Sequence, residues 1–171
     1  MQQKKTTVLV VDDEAAILEA FQVILEDGFE VLLADNRSEA MAFIEKDTPV
    51  LVFLDVRIPG TNGIDMLREI KKRKPKIKVI IETGYPDMDS ALRSIELGAS
   101  DYITKPFGAQ EVQNTLENVL KRKEAPPDRE RLAARWHTKR RAAFGRAFSS
   151  ASLRTSAGAH AFSSASLRTS S

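Results

Sequence analysis

The stretch Val50-Leu51-Val52-Phe53-Leu54-Asp55-Val56-Arg57-Ile58-Pro59-Gly60-Thr61-Asn62-Gly63 decides how the chain is read. Its first five residues are apolar, and Val50, Val52 and Phe53 are β-branched or aromatic, as in a strand buried on both faces. The run stops abruptly at the carboxylate of Asp55, and Pro59, Gly60 and Asn62-Gly63 then mark a loop. In open parallel α/β sheets ligands gather beyond the carboxyl ends of the strands, so an acidic residue there is placed for chemistry.

The same pattern recurs on either side. Thr6 to Val11 is an apolar β-rich run that stops at Asp12-Asp13-Glu14, and Ile17, Phe21, Ile24 and Leu25 then mark one face of a helix ended by Asp27-Gly28. Phe29 to Ala34 reads as a second strand. Asn36 followed by Glu39 resembles a capping box for a helix carrying Ala40, Met41, Phe43 and Ile44. Gly63 to Lys74 gives a helix with Ile64, Leu67 and Ile70 inward, which Pro75 bars from continuing. Ile77 to Ile81 is a fourth strand, ending in Glu82-Thr83-Gly84. Pro86 to Leu97 is a fourth helix, with Gly98 as its stop. Asp101 to Thr104 is a short fifth strand leading into Lys105-Pro106-Phe107. The last helix carries Val112, Leu116, Val119 and Leu120 and ends in Lys121-Arg122-Lys123, which suits the negative end of a helix dipole. Five alternating strand–helix units imply an α/β, doubly wound (βα)5 fold, a parallel sheet with right-handed crossovers and helices on both faces.

Composition bounds the rest. A chain of 171 residues, 42% hydrophobic and 29% charged, suits one globular domain plus an appendage. The absence of Cys excludes disulfides, thiolate metal sites and a Cys nucleophile, and fits a reducing, cytoplasmic compartment. The opening residues do not read as a signal peptide, and no apolar run approaches the roughly 20 residues of a membrane span. Residues 1–130 hold 18 Lys or Arg against 24 Asp or Glu, a net of −6, whereas residues 131–171 hold 8 basic and no acidic residues, a net of +8. Pro126-Pro127 marks the change, so the expected division is a domain over 1–124 and a basic tail over 125–171.

The tail's Arg131–Phe148 mixes Leu132, Trp136, Phe144 and Phe148 with Arg131, Arg135, Lys139, Arg140, Arg141 and Arg146. That mixture suits an anionic membrane, a nucleic acid or a protein partner, but its apolar positions form no continuous stripe. Ala147–Ser156 repeats as Ala161–Ser170, and such Ser/Ala-rich sequence cannot build a packed core, so a disordered or partly helical extension is expected. It is too short, and lacks the pattern, for a helix-turn-helix or ATPase output domain, so sequence-specific DNA binding is not supported.

Four strand ends carry polar groups: Asp12 and Asp13, Asp55, Thr83, and Lys105. With the first strand central, these ends meet at one crevice. Three crowded carboxylates repel unless a cation sits among them, and their hard oxygens suit Mg²⁺. Such a cation neutralises a phosphoryl group, a Lys adds a point charge to it, and a Thr hydroxyl can hydrogen-bond it. The chemistry suggested is phosphoryl transfer to a carboxylate nucleophile. Each residue alone has a plainer reading: Asp12-Asp13 as a helix cap, Asp55 as a turn residue, Thr83 as structural, Lys105 as a solvated charge. Their joint placement favours the site. Glu82, a charge at the end of an apolar strand, could add to the acidic crevice or point to solvent, and solvent is the favoured reading.

At this point the chain resembles a response-regulator receiver domain. The likeness rests on Val8-Leu9-Val10-Val11-Asp12-Asp13-Glu14, Leu54-Asp55 with Pro59 and Asn62-Gly63, Thr83-Gly84-Tyr85, and Gly98-Ala99-Ser100-Asp101-Tyr102-Ile103-Thr104-Lys105-Pro106-Phe107. It covers about residues 5–123, in order and with the usual spacing. The resemblance implies a flavodoxin-like strand order 2-1-3-4-5 and a two-component phosphorelay protein in which Asp55 accepts a phosphoryl group from a sensor histidine kinase or histidine phosphotransfer protein. It implies Mg²⁺ bound by Asp13, Asp55 and the backbone carbonyl of Arg57, with Asp12 acting largely through water. Lys105 would contact the phosphoryl oxygens, Thr83 would move toward them, and Tyr102 would rotate inward, switching the face of helix 4, strand 5 and helix 5 for a downstream protein. A homodimer is left open. The Lys105-Pro106 bond would be cis. Arg57 and Tyr85 stand at positions that tune dephosphorylation.

Rival readings are a phosphatase with an Asp nucleophile, a receiver-like module that binds partners without phosphorylation, and a fragment of a longer transcription factor or hybrid kinase. The first lacks an acid–base carboxylate two residues after Asp55, where Arg57 stands, and lacks a cap insertion. The second runs against the intact set Asp12, Asp13, Asp55, Thr83 and Lys105. A dinucleotide-binding domain is disfavoured because no Gly-rich turn follows the first strand.

Overall fold

Alternation along the strands builds two cores at once. The computed structural model describes residues 5–84 and 93–122, together with positions 134 and 138. Strands β1 (Thr6–Val11), β2 (Phe29–Ala34), β3 (Leu51–Asp55), β4 (Lys78–Thr83) and β5 (Asp101–Thr104) form one parallel sheet in the order β2-β1-β3-β4-β5, the flavodoxin-like order. Val8, Val10, Leu51, Phe53, Ile80 and Ile103 point to one face, where they pack with Phe21 and Leu25 of α1 (Ala15–Leu25) and Val112, Leu116 and Val119 of α5 (Ala109–Lys121). Leu9, Val11, Val52, Leu54, Val79 and Ile81 point to the other, against Ala40 and Ile44 of α2 (Arg37–Lys46) and Met66, Leu67 and Ile70 of α3 (Gly63–Arg73). A sheet covered on both faces explains why β1 and β3 are continuously apolar rather than alternating. Of α4, residues 93–96 are described.

Local chemistry sets the ends of the elements. Asn36 accepts a hydrogen bond from the Glu39 N–H at 3.0 Å, and Asn62 accepts one from Ile64 N–H at 2.9 Å, so both helix starts are capped by side chains. Gly98, at φ +92°, ends α4 in the left-handed region, and Ala99 N–H then reaches back to the Ser94 carbonyl. Lys78, at the start of β4, donates to the Val119, Leu120 and Arg122 carbonyls at 2.8, 3.2 and 2.9 Å and so caps the C-terminal end of α5. The Lys105-Pro106 bond is cis.

Four boundaries differ from the sequence reading, the first being that β4 begins at Lys78 rather than Ile77. Val50 stands outside β3 and is 42% exposed, α3 ends at Arg73, and β4 runs on through Glu82 and Thr83. The last difference arises because Asp55 pairs with Glu82 and Thr83 with Thr104, so the ladder continues past the apolar run. Most of the expected helix Pro86–Leu97, Tyr85, and the tail with its repeat, apart from positions 134 and 138, lie outside the described residues. Among the described residues no helix is long and apolar enough to cross a membrane.

Candidate functional site

The register of the sheet lines up three carboxylates. Val11 pairs with Leu54, so the next residues, Asp12 and Asp55, stand side by side, and Asp55 is itself paired with Glu82. Adjacent strands lie about 4.8 Å apart, and residues two apart share a face. The row Asp12–Asp55–Glu82 therefore crosses β1, β3 and β4 on the side of Val10, Phe53 and Ile80, the side of α1 and α5. Asp12 and Glu82 are fully buried and Asp55 is 5% exposed. Beneath them Phe21 packs on Phe53, ring centroids 4.6 Å apart, and meets Phe107 edge-on at 5.3 Å.

Among the described residues one cation serves two members of this row, Asp12 and Asp55. Lys105 stands two residues beyond Ile103, on the same face, and its N–H donates to the Thr83 carbonyl at 2.9 Å. Its ammonium donates to Asp12 Oδ2 at 2.6 Å, Asp55 Oδ2 at 2.8 Å and Glu14 Oε1 at 3.0 Å. The remaining oxygens are held by backbone: Asp55 Oδ1 accepts from Arg57 N–H at 2.9 Å, and Asp12 Oδ1 from Glu14 N–H at 2.8 Å. The capping reading of Asp12-Asp13 fails in its simple form, because the N-cap of α1 is Glu14 and no side chain caps the helix. Asp13 is exposed, and one oxygen each from Asp12, Asp13 and Asp55 lie within 4.8 Å of one another, a group fit to hold a metal ion. Three hard oxygen donors around one point suit a divalent cation with oxygen preference.

The electrostatics follow from burial and crowding. Burial alone would lower the Lys105 pKa, but hydrogen bonds to Asp12, Asp55 and Glu14 outweigh it and the pKa is raised. Burial raises Asp12, against the lowering effect of the Lys105 hydrogen bond. Burial likewise holds Glu82 well above the ordinary Glu value of 4.5, and the neighbouring charge of Asp12 adds to it while Lys105 opposes it.

Glycine chemistry fixes the rim. A Cβ on Gly63 would lie 2.2 Å from the Asp55 carbonyl oxygen and 2.8 Å from Val56 Cα, so only glycine lets the first turn of α3 rest against the backbone at Asp55. Gly63 N–H donates to the Val56 carbonyl at 3.0 Å, which closes the loop through the Arg57–Ile58 and Thr61–Asn62 hairpin.

Of the residues singled out from sequence, Asp12, Asp13, Asp55 and Lys105 come together, with the exposed Arg57 supplying its backbone N–H. Thr83 ends β4 half-buried, and alternation assigns it to the other side of the sheet, with Ile81 and its pair Tyr102. Tyr102 is buried in the core beneath α2 and α3. Glu82 corrects the sequence reading: it faces no solvent, because it occupies a ladder position on the covered α1/α5 side. Glu14, as a third acceptor for Lys105, was not foreseen either. The one available signal was its place beside Asp12-Asp13.

Residues 8–117 match the model of the response regulator receiver domain. The chain belongs to that family. Over 119 residues the receiver is 42% identical to the phosphate regulon transcriptional regulatory protein PhoB of Pseudomonas aeruginosa, an alignment covering 68% of this chain and 52% of that protein. It is 35% identical over 114 residues to sporulation initiation phosphotransferase F of Bacillus subtilis, covering 66% of this chain and 92% of the relative. Among solved structures, a CheY-like receiver domain protein from Methanospirillum hungatei is similar at TM-score 0.66 and 32% identity, over 68% of this chain and 94% of the other. The receiver domain of NtrX from Brucella abortus is similar at TM-score 0.64 and 37% identity, over 68% and 99%. The chain spans about half the length of several curated transcriptional regulators it matches.

Proposed function

We propose that this receiver is a phosphorylation-dependent switch in a two-component phosphorelay and that Asp55 is its phosphoacceptor. The observation that carries the reading is the Asp55 carboxylate itself, at the carboxyl end of the central β3, with Oδ1 fixed by a backbone N–H and Oδ2 by the Lys105 ammonium. The donor is a phosphohistidine on a sensor histidine kinase or a histidine phosphotransfer protein. An O–P bond forms at an Asp55 oxygen as the donor's P–N bond breaks, the electron pair leaves with the imidazole nitrogen, and that nitrogen takes up a proton. The relative named as a phosphotransferase, matched over 92% of its length, supports the class of chemistry.

Asp12, Asp13 and Asp55, with the backbone carbonyl of Arg57, would hold Mg²⁺, which supplies charge neutralisation for the transferred group. Lys105 stabilises the same charge from the β5 side and keeps the group oriented. Thr83 and Tyr102, on the opposite face, carry the change to α4, β5 and α5, whose surface binds a downstream protein better in the phosphorylated population. The receiver itself occupies residues 1–124 and leaves 125–171 as a separate tail. Its only catalysis is of its own phosphorylation and dephosphorylation. The large side chain of Arg57, with Tyr85, slows water's approach to the acyl phosphate.

Intact mass after incubation with acetyl phosphate tests the reading. A gain of one phosphoryl group that requires Mg²⁺ and is absent in Asp55→Asn is expected. Equal gain in Asp55→Asn would overturn it.

A further inference from the structure

Glu82 is the carboxylate of the row that Lys105 passes over. To reach Asp55 on β3 from β5, the Lys105 side chain must cross β4, and on that face the β4 residue in the row is Glu82. The ammonium nonetheless bonds Asp12, Asp55 and Glu14. Both Glu82 oxygens are left without a hydrogen-bond partner in a residue that is fully buried. A buried polar group left without a partner is destabilising, and an apolar side chain would fill the position without that penalty. The arrangement seen here therefore does not account for a carboxyl at residue 82.

A second arrangement does. A divalent cation among Asp12, Asp13 and Asp55 would use oxygens that Lys105 now holds. Two cations sharing those oxygens repel. The ammonium then needs another acceptor within the sweep of its own side chain, and Glu82 offers two unused oxygens on that path.

We propose that Glu82 is the counter-ion to which Lys105 turns when a divalent cation occupies the Asp12–Asp13–Asp55 group, so that Glu82 keeps the ammonium beside Asp55 and eases entry of the cation. Glu82 is thus a positioning residue acting through Lys105. The inference rests on the phosphoacceptor reading and extends it to how this receiver admits its metal.

Calorimetric titration of the full chain with Mg²⁺ tests it, using Glu82→Gln, Lys105→Met and the double variant. Gln keeps the shape and removes the charge, so Glu82→Gln should bind Mg²⁺ about tenfold more weakly, the usual size of an effect transmitted through an outer-shell partner. Lys105→Met should bind it more tightly, having lost the competing cation. The double variant should match Lys105→Met to within about twofold, because nothing remains for residue 82 to hold. Thermal unfolding confirms that each variant is folded, and Glu82→Met serves if the Gln variant is not. An unchanged affinity in Glu82→Gln would overturn the inference alone. The full loss persisting in the Lys105→Met background would also overturn it, by showing that Glu82 acts on the cation directly. A wild-type chain that takes up no Mg²⁺ would overturn the proposed function and this inference with it.

Discussion

Lys105 and Lys78 lie at opposite ends of the same face of the sheet, and each ammonium donates to three acceptors. At the amino end Lys78 meets the carbonyls of Val119, Leu120 and Arg122, neutral groups that end a helix. At the carboxyl end Lys105 meets Asp12, Glu14 and Asp55, all carboxylates. The bond counts are equal, but three neutral carbonyls bring no negative charge with which to hold a divalent cation in the lysine's place, whereas a carboxylate cluster does. One end of the sheet is therefore fastened and the other is loaded with exchangeable charge.

Removing each lysine breaks the comparison most directly. Lys105→Met in metal-free buffer should cost about 3 kcal/mol, since it leaves Asp12 and Asp55 buried without their cation, and should sharply reduce phosphoryl uptake. Urea unfolding with and without Mg²⁺ checks it, and Mg²⁺ should restore part of the loss. Lys78→Met should cost about 1–2 kcal/mol in the same assay, with no Mg²⁺ dependence and normal phosphoryl uptake. If both variants respond alike to Mg²⁺, the distinction between the two ends is wrong.

A finer probe is pH. The folded Glu82 value is raised above 4.5, so the folded state keeps a proton that the unfolded chain has released. Its contribution to stability is fully present below pH 4.5 and is lost as pH rises from there through the folded value. Metal-free wild type should therefore lose stability relative to Glu82→Gln as pH climbs from 4.5 through the folded value of Glu82, as followed by urea unfolding across that range. Asp12 is shifted in the same direction but is present in both proteins, so the difference isolates Glu82. The smallest effect belongs to the surface lattice of α2 and α3, where Arg37 pairs with Glu69 and Arg73 bridges Glu45 and Glu69. Arg37→Ala should change the melting free energy by no more than about 0.5 kcal/mol, less at high salt.

Much of this was legible in the sequence for a physical reason. Strands of a covered parallel sheet are rich in apolar and β-branched residues and stop at polar ones, so Thr6–Val11, Phe29–Ala34 and Asp101–Thr104 could be bounded correctly, and the ends of the first and last exposed acidic and basic site residues. What escaped was lateral. Glu82 reads as a surface charge along the chain, because burial on a strand end is decided by which strands flank it and what covers that face. The partition of Thr83 from Glu82 onto opposite faces needed the register as well. Val50 erred the other way: an apolar residue at the head of a buried strand can still lie beyond the cover of its neighbours.

Gly63 has a mechanical consequence. The first turn of α3 bears on the Asp55 carbonyl with no side-chain atom between them, so no flexible group is available to absorb movement there. A displacement of the Asp55 main chain therefore meets the backbone of α3 directly, with no side chain to take it up, in the way that a push on a short crank meets its shaft.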